Sequence, residues 1–254
     1  MSRSRWTLMV VLGMTTGFMS GLFGIGGGIL MVPGMLFLAR FDSRRAHATS
    51  LAAMLPMAVS GVVTYVANDT VDWPVVGWLS LGSVFGAFVG TSLLTKLSRR
   101  ALAVAFSVPL VIAAVRLLFE ISGDGRAEIT VFTALLITAI GVVTSSIATL
   151  LGIGGGIMLV PILTGGFGIP SVISKGSALA VILPTSLVGT LRNRSSALVD
   201  FRAALTLGFT GVVMAPVGAI VSNSISAQAS NSLFAVLVFV VTARMLWQAA
   251  TVKN

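Results

Sequence analysis

Two glycine clusters hold the spacing most suggestive of chemistry. The string GIGGG runs from Gly24 to Gly28 and returns from Gly152 to Gly156. It resembles a phosphate loop only superficially. No Lys-Ser or Lys-Thr pair follows, and the flanks are long apolar segments rather than a strand and a helix. Three successive glycines disfavour helix by about 1 kcal/mol each, so they should unwind it. A break of this kind frees backbone N–H groups at the start of the next half-helix, where the helix dipole is positive. Such an end attracts an anion without placing a full charge in lipid. Gly26, Gly27, Gly28, Gly154, Gly155 and Gly156 are therefore candidate anion ligands. The simpler alternative is that they only let helices pack closely. Pro33 and Pro161, which follow at the same distance in both copies, favour a shaped break.

Other candidates come in equivalent pairs. His47, the only histidine, matches Lys175. Both could meet an anion, or could snorkel to the interface beside residues such as Arg44 and Arg45. Their neighbours Thr49 and Ser177 could donate to anion oxygens, or bond back within their own helix. Asp72 and Asp200 each precede an apolar segment and read as N-caps, with proton coupling as the alternative. Arg116 and Arg244 lie near segment ends, within reach of the interface. Catalysis is poorly served. There is no Cys, a single His, and acids are almost confined to loops, so nucleophile–base pairs and metal ligands are lacking. The chain reads as neither an enzyme nor a cofactor or metal carrier.

These residues are positioned by a duplication. A constant offset of 128 residues carries Gly24 to Gly152, Pro56 to Pro184, Asp72 to Asp200 and Gly90 to Gly218. The chain divides into a first membrane repeat, 1–126, and a second, 127–254, expected to act together as one transport domain if the broken segments below form a transporter site. The composition is 56% hydrophobic and 9% charged, against about 25% charged in soluble proteins. Mean hydropathy is +1.04. Most of the chain therefore lies in a lipid bilayer. The net charge of +9 reports membrane orientation rather than nucleic-acid binding. Arg3 and Arg5 before an apolar stretch imitate a signal peptide. No small-residue cleavage site follows, and Gly13 and Thr16 already match Gly141 and Thr144, so the segment reads as part of the fold.

Apolar segments run roughly over 6–39, 46–67, 74–95 and 101–119, then 129–164, 172–191, 203–222 and 228–250. A crossing needs about 20 residues, and the first segment of each copy is too long for one. If it crosses once, basic loop residues divide evenly between the two sides. If it folds back as a hairpin, twelve lie inside and only Arg126 and Lys175 outside. The second distribution obeys the positive-inside rule. The expected fold is an all-α integral membrane protein with two inverted repeats, each a glycine-broken helical hairpin plus three transmembrane helices. Both termini would be cytoplasmic. The two breaks would meet near the midplane, the arrangement of many secondary transporters.

The paired G-x-G-G-G strings, each with a proline five residues after its last glycine, resemble those of the sulfite exporter TauE/SafE family. The second-segment strings from Ala48 to Pro56 and from Gly176 to Pro184 add to the resemblance, which covers essentially the full length. It implies a multipass permease of the bacterial inner membrane for small sulfur-containing anions such as sulfite, thiosulfate or organic sulfonates. An anion channel of the same architecture and a non-transporting membrane scaffold are the rival readings.

Overall fold

The computed structural model describes residues 3–94, 96 and 128–226, with isolated positions at 115, 228, 229, 232, 233, 235, 236, 239, 240 and 243. The calls on Arg116 and Arg244, and most of segments 101–119 and 228–250, lie outside the described residues. The elements are helical: α1 (Arg3–Phe23), α2 (Gly28–Phe37), α3 (Ser43–Ala67), α4 (Trp73–Leu94), α5 (Val131–Leu151), α6 (Gly156–Pro161) continued by a π-helical turn (Ile162–Gly166), α7 (Ser171–Ser195) and α8 (Phe201–Ser224). The 128-residue offset carries the first residue of each helix in the first copy onto the first residue of its counterpart.

Among the described residues, six helices, α1, α3, α4, α5, α7 and α8, are long and apolar enough to cross a membrane. Their starts follow from short polar side chains. Asp200 accepts from the Ala203 N–H at 3.1 Å, and Asp72 from the Val75 N–H at 3.3 Å. Both aspartates thus cap helices, satisfying donors that lipid cannot. The outer faces are apolar: Leu81, Phe85 and Val89 on α4, and Leu205, Phe209 and Val213 on α8, are exposed. In lipid such residues gain little by burial, so helix association rests on close contact and hydrogen bonds.

Small residues supply that contact. Gly13, Gly17 and Gly21 of α1 lie against Leu207, Gly211 and Ala215 of α8. Gly82, Gly86 and Gly90 of α4 lie against Thr138, Val142 and Ser146 of α5. Both pairs advance in step, so each runs parallel. The Asp200 N–H reaches Thr49 Oγ1 at 3.0 Å and Ser60 Oγ reaches the Val212 carbonyl at 2.8 Å, so α3 runs with α8. The Asp72 N–H reaches Ser177 Oγ at 2.9 Å and Arg192 Nη2 reaches Ser92 Oγ at 3.3 Å, so α7 runs with α4. Between these groups α3 and α7 run antiparallel, with Gly61 on Leu179 and Gly189 on Leu51. Hence α1, α3 and α8 point one way, and α4, α5 and α7 the other.

The first apolar segment folds back on itself. Gly27 packs on Thr16 and Gly34 on Leu12, so α2 retraces α1. In the second copy Gly155 lies beside Ala148. The copies differ past the break. The first continues as α-helix to Phe37, whereas the second turns π-helical at Ile162. Arg40, Arg44, Arg45, Lys96, Arg192, Arg194 and Arg202 gather at the end where α3 and α8 start, hereafter the basic end. Asp69, Asp72 and Glu128 lie at the other.

Candidate functional site

Residues 24–27 and 152–155 interrupt the helices at buried positions. Gly27 (φ 75°) and Gly155 (φ 86°) cap α2 and α6 in the left-handed region, a conformation costing an L-residue about 1–2 kcal/mol. The two breaks lie against each other and run in opposite directions. A Cβ on Gly28 would strike the Gly152 carbonyl and lie 2.6 Å from the Ile153 Cα. A Cβ on Gly156 would strike the Gly24 carbonyl and lie 2.7 Å from the Ile25 Cα. Only glycine allows this approach of backbone to backbone. At the centre, Gly26 and Gly154 share two neighbours, Met54 and Ile182. A Cβ on Gly26 would lie 2.8 Å from Ile182 Cδ1, and one on Gly154 would lie 2.9 Å from Met54 Sδ. Met54 and Ile182 are themselves equivalent by the repeat, so one apolar pair closes over both breaks.

His47 and Lys175 sit behind the breaks, each one turn inside the helix that starts at its own end of the fold. The Gly152 Cβ position is 2.7 Å from the His47 Cα, and the Gly24 position is 2.6 Å from the Lys175 Cα. Both side chains are buried, at 1% and 2% exposure. His47 Nδ1 lies 2.6 Å from the Ser43 carbonyl, which can only accept, so Nδ1 carries the proton there. Lys175 Nζ donates to Ser222 Oγ at 3.1 Å. The fold thus gathers both glycine clusters, His47 and Lys175 around one interface.

Thr49 and Ser177 are placed elsewhere. Each hydroxyl accepts the backbone N–H of an aspartate from the other copy, at Asp200 and Asp72 respectively. They tie the start of one repeat's second long helix to the start of the other's third. Removing either acceptor should cost about 1–3 kcal/mol, the penalty of an unsatisfied buried donor. We expect Thr49→Val and Ser177→Ala to lower the melting temperature while leaving the apparent affinity for transported anion unchanged. A raised KM at unchanged stability would instead put the hydroxyls on the anion.

The aspartates allow a similar test. Asp200 Oδ2 also lies 3.4 Å from Arg45 Nη2, but that pair is solvated and worth at most about 1 kcal/mol. Asn caps helices as well as Asp does. Asp72→Asn and Asp200→Asn should therefore retain stability within about 1 kcal/mol and retain transport. Loss of uptake with an unchanged melting temperature would mark a proton-carrying role.

Several contacting residues escaped the sequence reading. Ser50 Oγ donates to the Gly152 carbonyl at 2.7 Å and Tyr65 Oη to the Gly21 carbonyl at 2.7 Å, each satisfying backbone next to a break. Met54 and Ile182 gave no signal beyond hydropathy. A pocket at the basic end, lined by Thr91, Ser92, Lys96, Arg192 and Asn193 among others, was also not foreseen. Among the described residues, no cluster of His, Asp or Glu could hold a metal ion.

Six long apolar helices around two buried glycine breaks define a multipass membrane protein built on a transporter pattern. The family model of sulfite exporter TauE/SafE matches residues 1–117 and 137–253, and the chain belongs to that family. It is 26% identical over 238 residues to a probable membrane transporter protein of Xylella fastidiosa, covering 91% of each chain. It is 24% identical over 226 residues to the probable membrane transporter protein YunE of Bacillus subtilis, covering 80% of this chain and 83% of that one. A probable membrane transporter protein of Haemophilus influenzae is 26% identical over 187 residues, or 70% of each. No solved structure matches. The protein is a membrane transporter, which implies a lipid bilayer around it and a small-molecule substrate.

Proposed function

We propose that this protein is a secondary transporter that exports small sulfur-containing anions, such as sulfite, thiosulfate or organic sulfonates. The observation that carries the reading is the mutual packing of the two glycine breaks, buried and centred on Gly26 and Gly154. There the first turns of α2 and of the helical segment Gly156–Gly166 present backbone N–H groups from opposite directions. An anion would be held by those groups, with His47 and Lys175 approached from opposite ends of the fold. The opposed directions of equivalent helices support inverted repeats, and alternating access would come from rocking one copy against the other. The basic end would face the cytoplasm. The family name supports the sulfur anion as substrate class.

The test is a thermal-shift panel of sulfite, thiosulfate, sulfate, sulfonates and carboxylates on purified protein, followed by vesicle uptake of each hit. Stabilisation by a sulfur anion with saturable uptake is the expected result. Non-saturating flux would make the protein a channel, and no response to any anion would leave a scaffold.

A further inference from the structure

We propose that the pocket at the basic end is the port by which the anion reaches the breaks, and that Ser186, Thr190 and Asn193 of α7 are its polar lining. The proposal rests on the transport reading above and adds a route to it. The pocket encloses about 670 Å³ and carries Lys96 and Arg192 beside Thr91, Ser92 and Asn193. That volume holds a small oxyanion with its water, and the two cations give the mouth an anion-attracting field. Asn193 is 2% exposed, and its Nδ2 has no hydrogen-bond partner. Ser186 Oγ and Thr190 Oγ1, farther along the same helix from the pocket, have none either. Unpaired buried polar atoms are costly, so three in succession call for a function.

Their spacing gives the function a direction. Ile182, Ser186, Thr190 and Asn193 fall on one stripe of α7. The stripe covers about 16 Å, from the residue that closes over Gly26 and Gly154 to the wall of the pocket. The first copy has no such stripe. The equivalents of Ser186, Thr190 and Asn193 are Ala58, Val62 and Tyr65. Tyr65 commits its hydroxyl to the Gly21 carbonyl. The polar file therefore belongs to one copy only and opens toward one end only. In this conformation the pocket opens at the basic end and reaches Asn193, and Thr190 and Ser186 continue its line, buried, toward Ile182 and Met54.

The natural chain has no cysteine, so single cysteines can report access directly. Ser186→Cys and Thr190→Cys would be compared with Ala58→Cys and Val62→Cys in full-length protein in sealed membrane vesicles of both orientations. Ser195→Cys marks the basic end and Asp69→Cys the other. The probes are an anionic and a cationic methanethiosulfonate of similar size, both membrane-impermeant, with methanesulfonate as the protecting anion. We expect Ser186→Cys and Thr190→Cys to react from the face that labels Ser195→Cys, about tenfold faster with the anionic reagent. Methanesulfonate should slow that reaction, and Lys96→Gln with Arg192→Gln should bring the two reagents level. Ala58→Cys and Val62→Cys should stay unlabelled.

Silence at both Ser186→Cys and Thr190→Cys while Ser195→Cys reacts would overturn the port. So would labelling from the Asp69→Cys face, or equal labelling at the equivalent positions of the first copy. Uptake of radiolabelled sulfite by Gly155→Leu separates the two readings. A labelled stripe with normal uptake in that variant removes the site at the breaks and keeps the port. Lost uptake with a silent stripe removes the port alone.

Discussion

Gly28→Ala and Gly156→Ala will each force the two breaks apart. On either residue the added methyl meets a carbonyl and a Cα of the opposite break; on Gly28 it also meets Met54 Cε, which can swing away, but no rotamer change relieves the backbone contacts. Overpacking of this kind costs about 1–3 kcal/mol where side chains yield, and more where backbone must move. We expect a loss above about 3 kcal/mol and no measurable uptake. Gly77→Ala and Gly166→Ala are the controls. A Cβ at either position meets nothing within 4 Å, and both should retain uptake. The caps of the two short helices give a finer contrast. A Cβ on Gly27 would lie 2.6 Å from the Thr16 carbonyl oxygen, whereas on Gly155 the nearest atom is the Ala148 Cβ at 3.2 Å. Gly155→Leu should therefore retain more folded protein than Gly27→Leu, and both should lose transport. Folded Gly155→Leu protein that transports normally would place the anion elsewhere. Melting temperature and vesicle uptake, measured on the same preparations, decide between these outcomes.

Much of this arrangement was legible because the duplication constrains it. One offset aligned the breaks, the capping aspartates and the His47/Lys175 pair. The division of basic loop residues favoured a folded-back first segment, and the packing of Gly27 on Thr16 and Gly34 on Leu12 has α2 retracing α1. Gly13, Gly17 and Gly21, and Gly82, Gly86 and Gly90, also stood in the sequence at helical spacing. Four-residue glycine ladders mark close helix contact, and reading them would have marked the contact faces of α1 and α4, though not their partners α8 and α5. Other features had no pattern to show. Thr49 and Ser177 act on residues of the other copy more than 100 positions away, so their partners emerge only in three dimensions. Asn193 hid between Arg192 and Arg194, where a polar residue looks like loop. The π-helical turn at Ile162–Gly166 has no counterpart in the first copy, and the repeat gave no warning of it.

Met54 and Ile182 were the least legible residues of all, because an apolar side chain is unremarkable in a chain this hydrophobic. On the proposed route their position makes them the barrier. Each is fully buried, and together they fill the space over Gly26 and Gly154 where an anion would pass. Met tolerates irregular packing and can move aside with little loss of contact. Ile is stiff at its first torsion, so most of its bulk yields less readily than Met unless its helix moves. A barrier with one soft and one stiff partner would open by displacement of α7 against α3, the two helices that cross between the copies. Ile182→Ala should then raise anion flux and weaken its saturation, because the stiff half of the barrier is gone. Met54→Ala should do so less. Each truncation also costs about 2–5 kcal/mol as a core cavity, so flux must be normalised to folded protein. The double variant should conduct without saturation, turning a carrier into a leak. Unchanged saturable uptake in folded Met54→Ala/Ile182→Ala protein would mean that the anion crosses by a route that never passes between the two breaks.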